Sequence, residues 1–154
     1  ISQPFVVALM SEKLVSKKAD RRRALEIGTG CGYQTAVLAR LFERVFSIER
    51  IRPLSERAGK TLAGLEIDNV ELLWADGIKG WRERAPFDAI LLTAAPEVIP
   101  NLLLGQLSLD GRLVAPVGSR ANQRIQTVVN RNGQLCEEAA EGVRFVPLVK
   151  GVSK

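Results

Sequence analysis

The chain is predicted to fold as a doubly wound α/β sandwich with a mainly parallel sheet and a C-terminal antiparallel hairpin. Three observations predict it. Short β-branched and apolar runs alternate with segments whose apolar residues recur at helical spacing, the pattern of repeated βα units. Phe87 to Thr93 is nearly continuous in apolar residues, as expected of a central parallel strand buried on both faces. The ending then changes character: Arg124 to Asn130 alternates, Asn132-Gly133 is a strong hairpin turn, and Gln134 to Ala140 continues as a strand.

The elements follow in order. Ser2-Gln3-Pro4 reads as a helix start, with Ser2 as N-cap and proline in the first turn. Phe5 to Leu14 is the helix, Phe5 and Leu9 contributing to its apolar face, and Lys17 to Arg23 is a polar connector. Ala24 to Ile27 is the first strand and Tyr33 to Phe42 the next helix. Arg44 to Ile48 is the second strand, ending in Glu49-Arg50. Pro53 starts a helix whose buried stripe is Leu54, Ala58, Leu62 and Leu65. Asn69 to Trp74 is the third strand, closed by Ala75-Asp76-Gly77. After Phe87 to Thr93 comes Ala94-Ala95-Pro96, small residues suited to a cleft wall. Pro100 to Leu107 is expected to be helical, Asp110-Gly111 a turn, Arg112 to Val117 a strand and Val143 to Val149 a last strand-like run.

Composition bounds the function. At 154 residues the chain reads as one domain over 1–154, large enough for a core. Hydrophobic content of 46% and charge of 25% are ordinary for a soluble protein. The most apolar region, Ala85 to Gly105, is interrupted by Asp88, Glu97 and three prolines, so no membrane partner is expected. No basic segment precedes the apolar run Phe5 to Met10, unlike a signal peptide. Cys31 and Cys136 lie far apart and read as free thiols in a cytoplasmic protein. The net charge of +5 is dispersed. The one dense cluster, Lys17-Lys18 with Arg21-Arg22-Arg23, lacks interleaved aromatics and reads as a solvated loop, so no nucleic-acid partner is expected. A monomer is expected. Histidine is absent, which excludes histidine-based acid–base, triad and metal chemistry. The chain opens on Ile1 rather than methionine, and an N-terminal segment is expected to be missing before it.

The densest signal is Ala24 to Tyr33, Ala-Leu-Glu-Ile-Gly-Thr-Gly-Cys-Gly-Tyr. A strand enters a glycine-rich turn and leaves as a helix. Gly28, Gly30 and Gly32 lack a Cβ, which lets a ligand approach their backbone, and the N–H groups of the following helix face the same space. A dinucleotide fingerprint needs glycine at the sixth position, where Tyr33 stands, and the Gly-Lys-Ser/Thr ending of a phosphate loop is missing. The pattern Glu-x-Gly-x-Gly-x-Gly instead resembles the first motif of S-adenosylmethionine-dependent methyltransferases, with Glu26 within reach of the cofactor's amino-acid portion. Thr29 and Tyr33 belong to the same turn.

Other strand ends converge on this turn. Glu49 lies about 20 residues beyond the first glycine, where a carboxylate accepts ribose hydroxyls. Being at a strand end, its replacement is expected to leave folding nearly intact. Asp76 can accept from an adenine amino group or simply form a turn with Gly77. Trp74 and Trp81 can stack on a ring or belong to the core. Ligands of open α/β sheets sit over the carboxyl ends of the strands, where Gly28 to Gly32, Glu49, Asp76 and Thr93 all fall.

A family resemblance covers nearly the whole chain. Ile1-Ser2-Gln3-Pro4, Leu25 to Ala36, Val45 to Arg50, Asp76-Gly77, Phe87 to Ile90 through Ala94-Ala95-Pro96, Gly111 to Gly118 and Val143 to Leu148 occur in order. Together they resemble protein-L-isoaspartate O-methyltransferase of bacterial type, with a Rossmann-like methyltransferase fold. The resemblance implies S-adenosylmethionine as cofactor and isoaspartyl proteins and peptides as partners, methylated on the free α-carboxylate as a repair step. It implies cofactor contacts from Glu26, Gly28, Thr29, Gly30, Gly32, Tyr33, Glu49, Arg50, Asp76, Gly77 and Thr93. Substrate contacts would come from Ser2, Gln3, Ala94, Ala95, Pro96, Val143, Arg144 and Phe145. Ser2 matches the family's active-site serine, which orients the carboxylate. The family's further N-terminal segment and its Gly-rich approach to Ile-Ser-Gln-Pro do not precede Ile1. Two other readings remain, a methyltransferase with a small-molecule or nucleic-acid acceptor and a non-catalytic cofactor-binding module.

Overall fold

A computed structural model describes residues 3–15 and 20–153, without the side chains of residues 139–141. The elements are α1 (Pro4–Leu14), β1 (Arg23–Ile27), α2 (Tyr33–Leu41), β2 (Arg44–Glu49), α3 (Arg52–Gly64), β3 (Val70–Trp74), β4 (Phe87–Leu92), α4 (Asn101–Leu104), β5 (Leu107–Ser119), β6 (Asn122–Arg131) and β7 (Gln134–Val143). Two short 3-10 turns, Gly77–Lys79 and Arg82–Arg84, lie between β3 and β4.

The strands form one sheet in the order β3-β2-β1-β4-β5-β6-β7. β3, β2, β1, β4 and β5 pair in parallel, and β6 and β7 are added antiparallel. The order reverses direction between β1 and β4, the topological switch point where such sheets bind ligands. Strand alternation splits the core into two layers. Leu25, Ile27, Phe46, Ile48, Ile90, Leu92 and Leu113 join Trp81 and Leu103 in one cluster. Ala24, Val45, Ala89, Leu91 and Val114 join Met10 and Leu14 of α1 and Leu38 of α2 in the other. Trp81 is buried and meets Phe46 edge-on, and the Trp74 Nε1 donates to the Arg50 carbonyl, so both tryptophans take their structural reading.

Three boundaries differ from expectation. The helix expected over Pro100 to Leu107 stops at Leu104, because Gln106 is drawn away. Its carbonyl accepts from Phe87 N, and its side chain binds Trp81 N, Lys79 O and Leu102 O. Asp110-Gly111 is an irregularity inside the longer β5 rather than a turn before it. A Cβ on Gly111 would lie 2.9 Å from Ser108 O, which explains the glycine at this close approach. The run after Val143 leaves the sheet, and an isolated Ala95–Pro147 bridge joins it to the segment after β4.

Candidate functional site

The carboxyl ends of β1, β2 and β4 open onto a cavity of about 910 Å³, a volume typical of a small-molecule site. Its walls include the glycine turn, Glu49 to Ile51, Gly77, Thr93-Ala94, the start of α1 and residues 142–149.

The turn is shaped by its neighbours. Gly28 N donates to Ile48 O at 2.8 Å, suspending the turn from β2. Gly28 has φ +101, and a Cβ there would lie 2.2 Å from Thr93 Oγ1. Thr93 uses that space to donate to the carbonyl of Gly28, 2.6 Å away. Around Gly30, by contrast, a Cβ would meet nothing within 4 Å, since this residue faces the cavity. Gly32 caps α2 in the left-handed conformation, φ +85, and lies outside the cavity lining, so glycine here serves the backbone turn rather than ligand approach.

Glu49 is buried, yet it borders the cavity. Its Oε2 accepts from Gly30 N and its Oε1 from Ile51 N, both at 2.9 Å. Each carboxylate oxygen has a second lone pair for a ligand hydroxyl. Glu49 therefore also braces the turn, and the expectation that its loss would spare folding is corrected.

Glu26 lies behind the turn, fully buried and outside the cavity lining. Its Oε2 accepts from Thr35 Oγ1 at 2.5 Å and Ser47 Oγ at 2.6 Å. Ser47 has one proton, given to Glu26, so Thr29 Oγ1 donates to Ser47 across their 2.6 Å contact. Among the described residues, Glu26 Oε1 has no hydrogen-bond partner. Burial pushes the Glu26 carboxyl up to about 7, against the two hydroxyl donors and with a further push from the Glu49 charge.

Arg50, Tyr33 and Gly77 line the cavity, but Asp76 does not. Asp76 Oδ1 accepts from Ile78 N and Oδ2 from Gly151 N, so the carboxylate serves as a local clasp. Of the expected substrate wall, Gln3, Ala94, Val143, Arg144 and Phe145 border the cavity. Ala95 and Pro96 stand behind it: Ala95 holds Val146 O and Leu148 N through its backbone, and Pro96 O accepts from Gly118 N. Ser2 lies outside the described residues, and Gln3 is the N-cap of α1, without a side-chain cap bond.

Sequence reasoning missed Ser47 and Thr35, whose hydroxyls hold Glu26. Ser47 was detectable as the polar residue inside an apolar strand. It also missed Phe5, Gln34 and Leu54 on the cavity wall.

Residues 1–153 match the family described as Protein-L-isoaspartate(D-aspartate) O-methyltransferase (PCMT). The chain belongs to the protein-L-isoaspartate O-methyltransferase family. Among curated members, the Yersinia enterocolitica protein is 52% identical over 151 residues, covering 98% of this chain and 71% of the relative. The Hahella chejuensis protein is 49% identical over 152 residues, covering 99% and 72%. These protein-L-isoaspartate O-methyltransferases are thus longer than the chain. One solved member of that name superposes with TM-score 0.85 at 29% identity, over 96% of this chain and 47% of its own length. A Plasmodium falciparum chain described as a protein-L-isoaspartate O-methyltransferase, solved in complex with S-adenosyl-L-homocysteine, gives TM-score 0.86 at 25% identity, over 97% and 76%.

Proposed function

We propose that this chain, acting as one catalytic domain, transfers a methyl group from S-adenosylmethionine to the free α-carboxylate of L-isoaspartyl residues in damaged proteins and peptides. The observation that carries the reading is the union of family membership with a cavity in which Gly30 and Glu49 meet at the ends of β1 and β2.

The residues present fit the cofactor. Gly30 leaves open space over the turn and Glu49 offers lone pairs for ribose hydroxyls, whereas Glu26, expected as a cofactor contact, is fully buried outside the cavity lining and supports the turn from behind. Tyr33, Arg50, Gly77 and Thr93 complete the cofactor side, with Gly28, Thr29 and Gly32 shaping the turn and Asp76 fixing the loop beside Gly77. When bound, S-adenosylmethionine supplies an electrophilic methyl group whose transfer leaves a neutral thioether.

The acceptor carboxylate is already ionised near neutral pH, so no general base is required. That agrees with a chain that contains no histidine. The protein's task is to align the acceptor oxygen with the methyl carbon and exclude water. Val6, Val143, Phe145 and Leu148 give the cavity an apolar wall toward that end, and Phe5 beside them is 72% exposed. Ser2 would orient the acceptor carboxylate by a hydrogen bond. With no histidine to activate it, it is a poor nucleophile, and no covalent intermediate is invoked.

Methyl transfer from labelled S-adenosylmethionine to an isoaspartyl peptide tests this reading, and absence of transfer would overturn it. The same reading carries a monomeric state, tested by light scattering, and a cytoplasmic location, tested by fractionation. No described helix is long and apolar enough to cross a membrane.

A further inference from the structure

We propose that Gln123 is a positioning residue for the methyl acceptor, its side-chain amide fixing the backbone of Phe145 and with it the wall along which the substrate lies. This rests on the isoaspartyl reading above.

The β6–β7 ladder reaches Gln123 opposite Val143, and there β7 ends. The side chain of Gln123 then takes the place of a neighbouring strand. Its Oε1 accepts from Phe145 N at 2.5 Å, and its Nε2 donates to Phe145 O at 3.2 Å. A primary amide presents one acceptor and one donor side by side, which matches the N–H and C=O of a single extended residue. Gln123 is only 4% exposed, so little water competes for these bonds.

Phe145 is the first fastening of a longer strap. Ala95 N donates to Val146 O and Ala95 O accepts from Leu148 N, both at 2.8 Å. Gly151 is then held by Arg50 Nε at its carbonyl and by Asp76 at its N–H. Ser153 bridges Arg50 and Arg52 through its backbone. Residues 144–153 thus cross the carboxyl edge of the sheet from β6 past β4 to β2 and β3. Val146 and Val149 remain 68% and 46% exposed, while Phe145 and Leu148 are half-buried against the two core clusters, so these two side chains and the polar fastenings together set the strap's path.

The strand order assigns the two halves of the strap different tasks. Glu49 ends β2 and the glycine turn follows β1, which puts the nucleoside on the β1–β3 side. The Gln123–Phe145 fastening lies on the opposite side, beyond β4 and β5. A shift of Phe145 therefore moves the acceptor wall and leaves the nucleoside contacts in place. A misplacement of about 1 Å costs on the order of a hundredfold in rate.

The test uses Q123L and Q123E, with isoaspartyl-peptide kinetics and S-adenosylhomocysteine affinity measured per folded protein. For Q123L the expected result is a fall in peptide kcat/KM of about 10- to 100-fold, with S-adenosylhomocysteine affinity within about twofold of wild type. Q123E adds a readout that a purely structural role would not move. A protonated carboxyl offers one donor and one acceptor as the amide does, so its kcat/KM relative to wild type should recover as pH falls. An unchanged Q123L, equal losses in peptide and S-adenosylhomocysteine binding, or a pH-independent Q123E ratio would each overturn the proposal. Wild-type enzyme measured alongside separates the two claims. Wild-type transfer with an unaffected Q123L sinks the role of Gln123 alone, whereas no wild-type transfer sinks the isoaspartyl reading and this role with it.

Discussion

The amide of Gly30 donates to Glu49 Oε2 at 2.9 Å, tying the turn after β1 to the carboxylate that ends β2. One side chain therefore shapes the turn and faces the cavity. E49A is expected to weaken S-adenosylhomocysteine binding by on the order of 1.5–3 kcal/mol, the worth of hydrogen bonds to a charged group. It also strands the N–H groups of Gly30 and Ile51, at a stability cost of about 1–3 kcal/mol. Calorimetry and urea unfolding check the two losses separately. Wild-type affinity in E49A would leave Glu49 as a brace only, and tight NAD binding without S-adenosylhomocysteine binding would reject the cofactor.

Thr93 and Gly28 form the second prediction. G28A forces a Cβ to within 2.2 Å of Thr93 Oγ1 at φ +101. It should destabilise the protein by more than about 1 kcal/mol, the penalty of alanine at positive φ. T93A removes the donor to Gly28 O and Ile27 O without adding an atom, so its loss of about 0.5–1.5 kcal/mol should appear without any steric clash. The midpoints of urea unfolding measure both, and a G28A variant as stable as wild type would contradict this packing.

The Glu26 carboxyl, pushed up from 4.5 to about 7 by burial, makes stability depend on pH. Between pH 4.5 and 7 the folded state retains a proton that the unfolded chain has lost, so this group's contribution to stability falls as pH rises through that window. Below pH 4.5 both states are protonated and above pH 7 neither is, so the slope vanishes on either side. In E26Q that slope should be absent. The comparison is the free energy of unfolding against pH for wild type and E26Q, and identical slopes would show that Glu26 is already ionised across the window.

Much of this site was legible because its chemistry is local. The Glu26 to Gly32 pattern encodes a strand, a turn and a helix start within a few residues, and Glu49 falls at a fixed distance from it. What escaped depends on partners distant in sequence. Gly151 lies 75 residues from Asp76, whose carboxylate it occupies. Gln123 lies 22 residues from Phe145 and carries no pattern announcing that its amide extends a sheet. The α4 helix ends early for the same reason, since Gln106 is recruited by Trp81, Lys79 and the start of β4.

Ser2 has two readings that predict different losses. The N-cap of α1 is Gln3 rather than the expected Ser2, so with a helix-start role alone, replacement of Ser2 by alanine costs at most about 1 kcal/mol of stability and little turnover at low temperature. As the group that orients the acceptor, its loss lowers kcat while cofactor affinity persists. The expected outcome for S2A is the second, and full turnover in well-folded S2A would refute it.

The account's central claim is selection of the isoaspartyl carboxylate, and paired peptides test it most directly. The two are identical except that one links its aspartate through the side-chain carboxyl, which adds a backbone carbon and leaves the α-carboxylate free. A cleft that holds the flanking backbone presents that carboxylate to the methyl group and keeps an ordinary aspartate out of line, where about 1 Å costs on the order of a hundredfold. Labelled methyl transfer is measured to both. The account predicts transfer to the isoaspartyl peptide alone, giving a base-labile ester that releases methanol as it closes to succinimide. Equal methylation of both peptides, or of neither with cofactor bound, would contradict it.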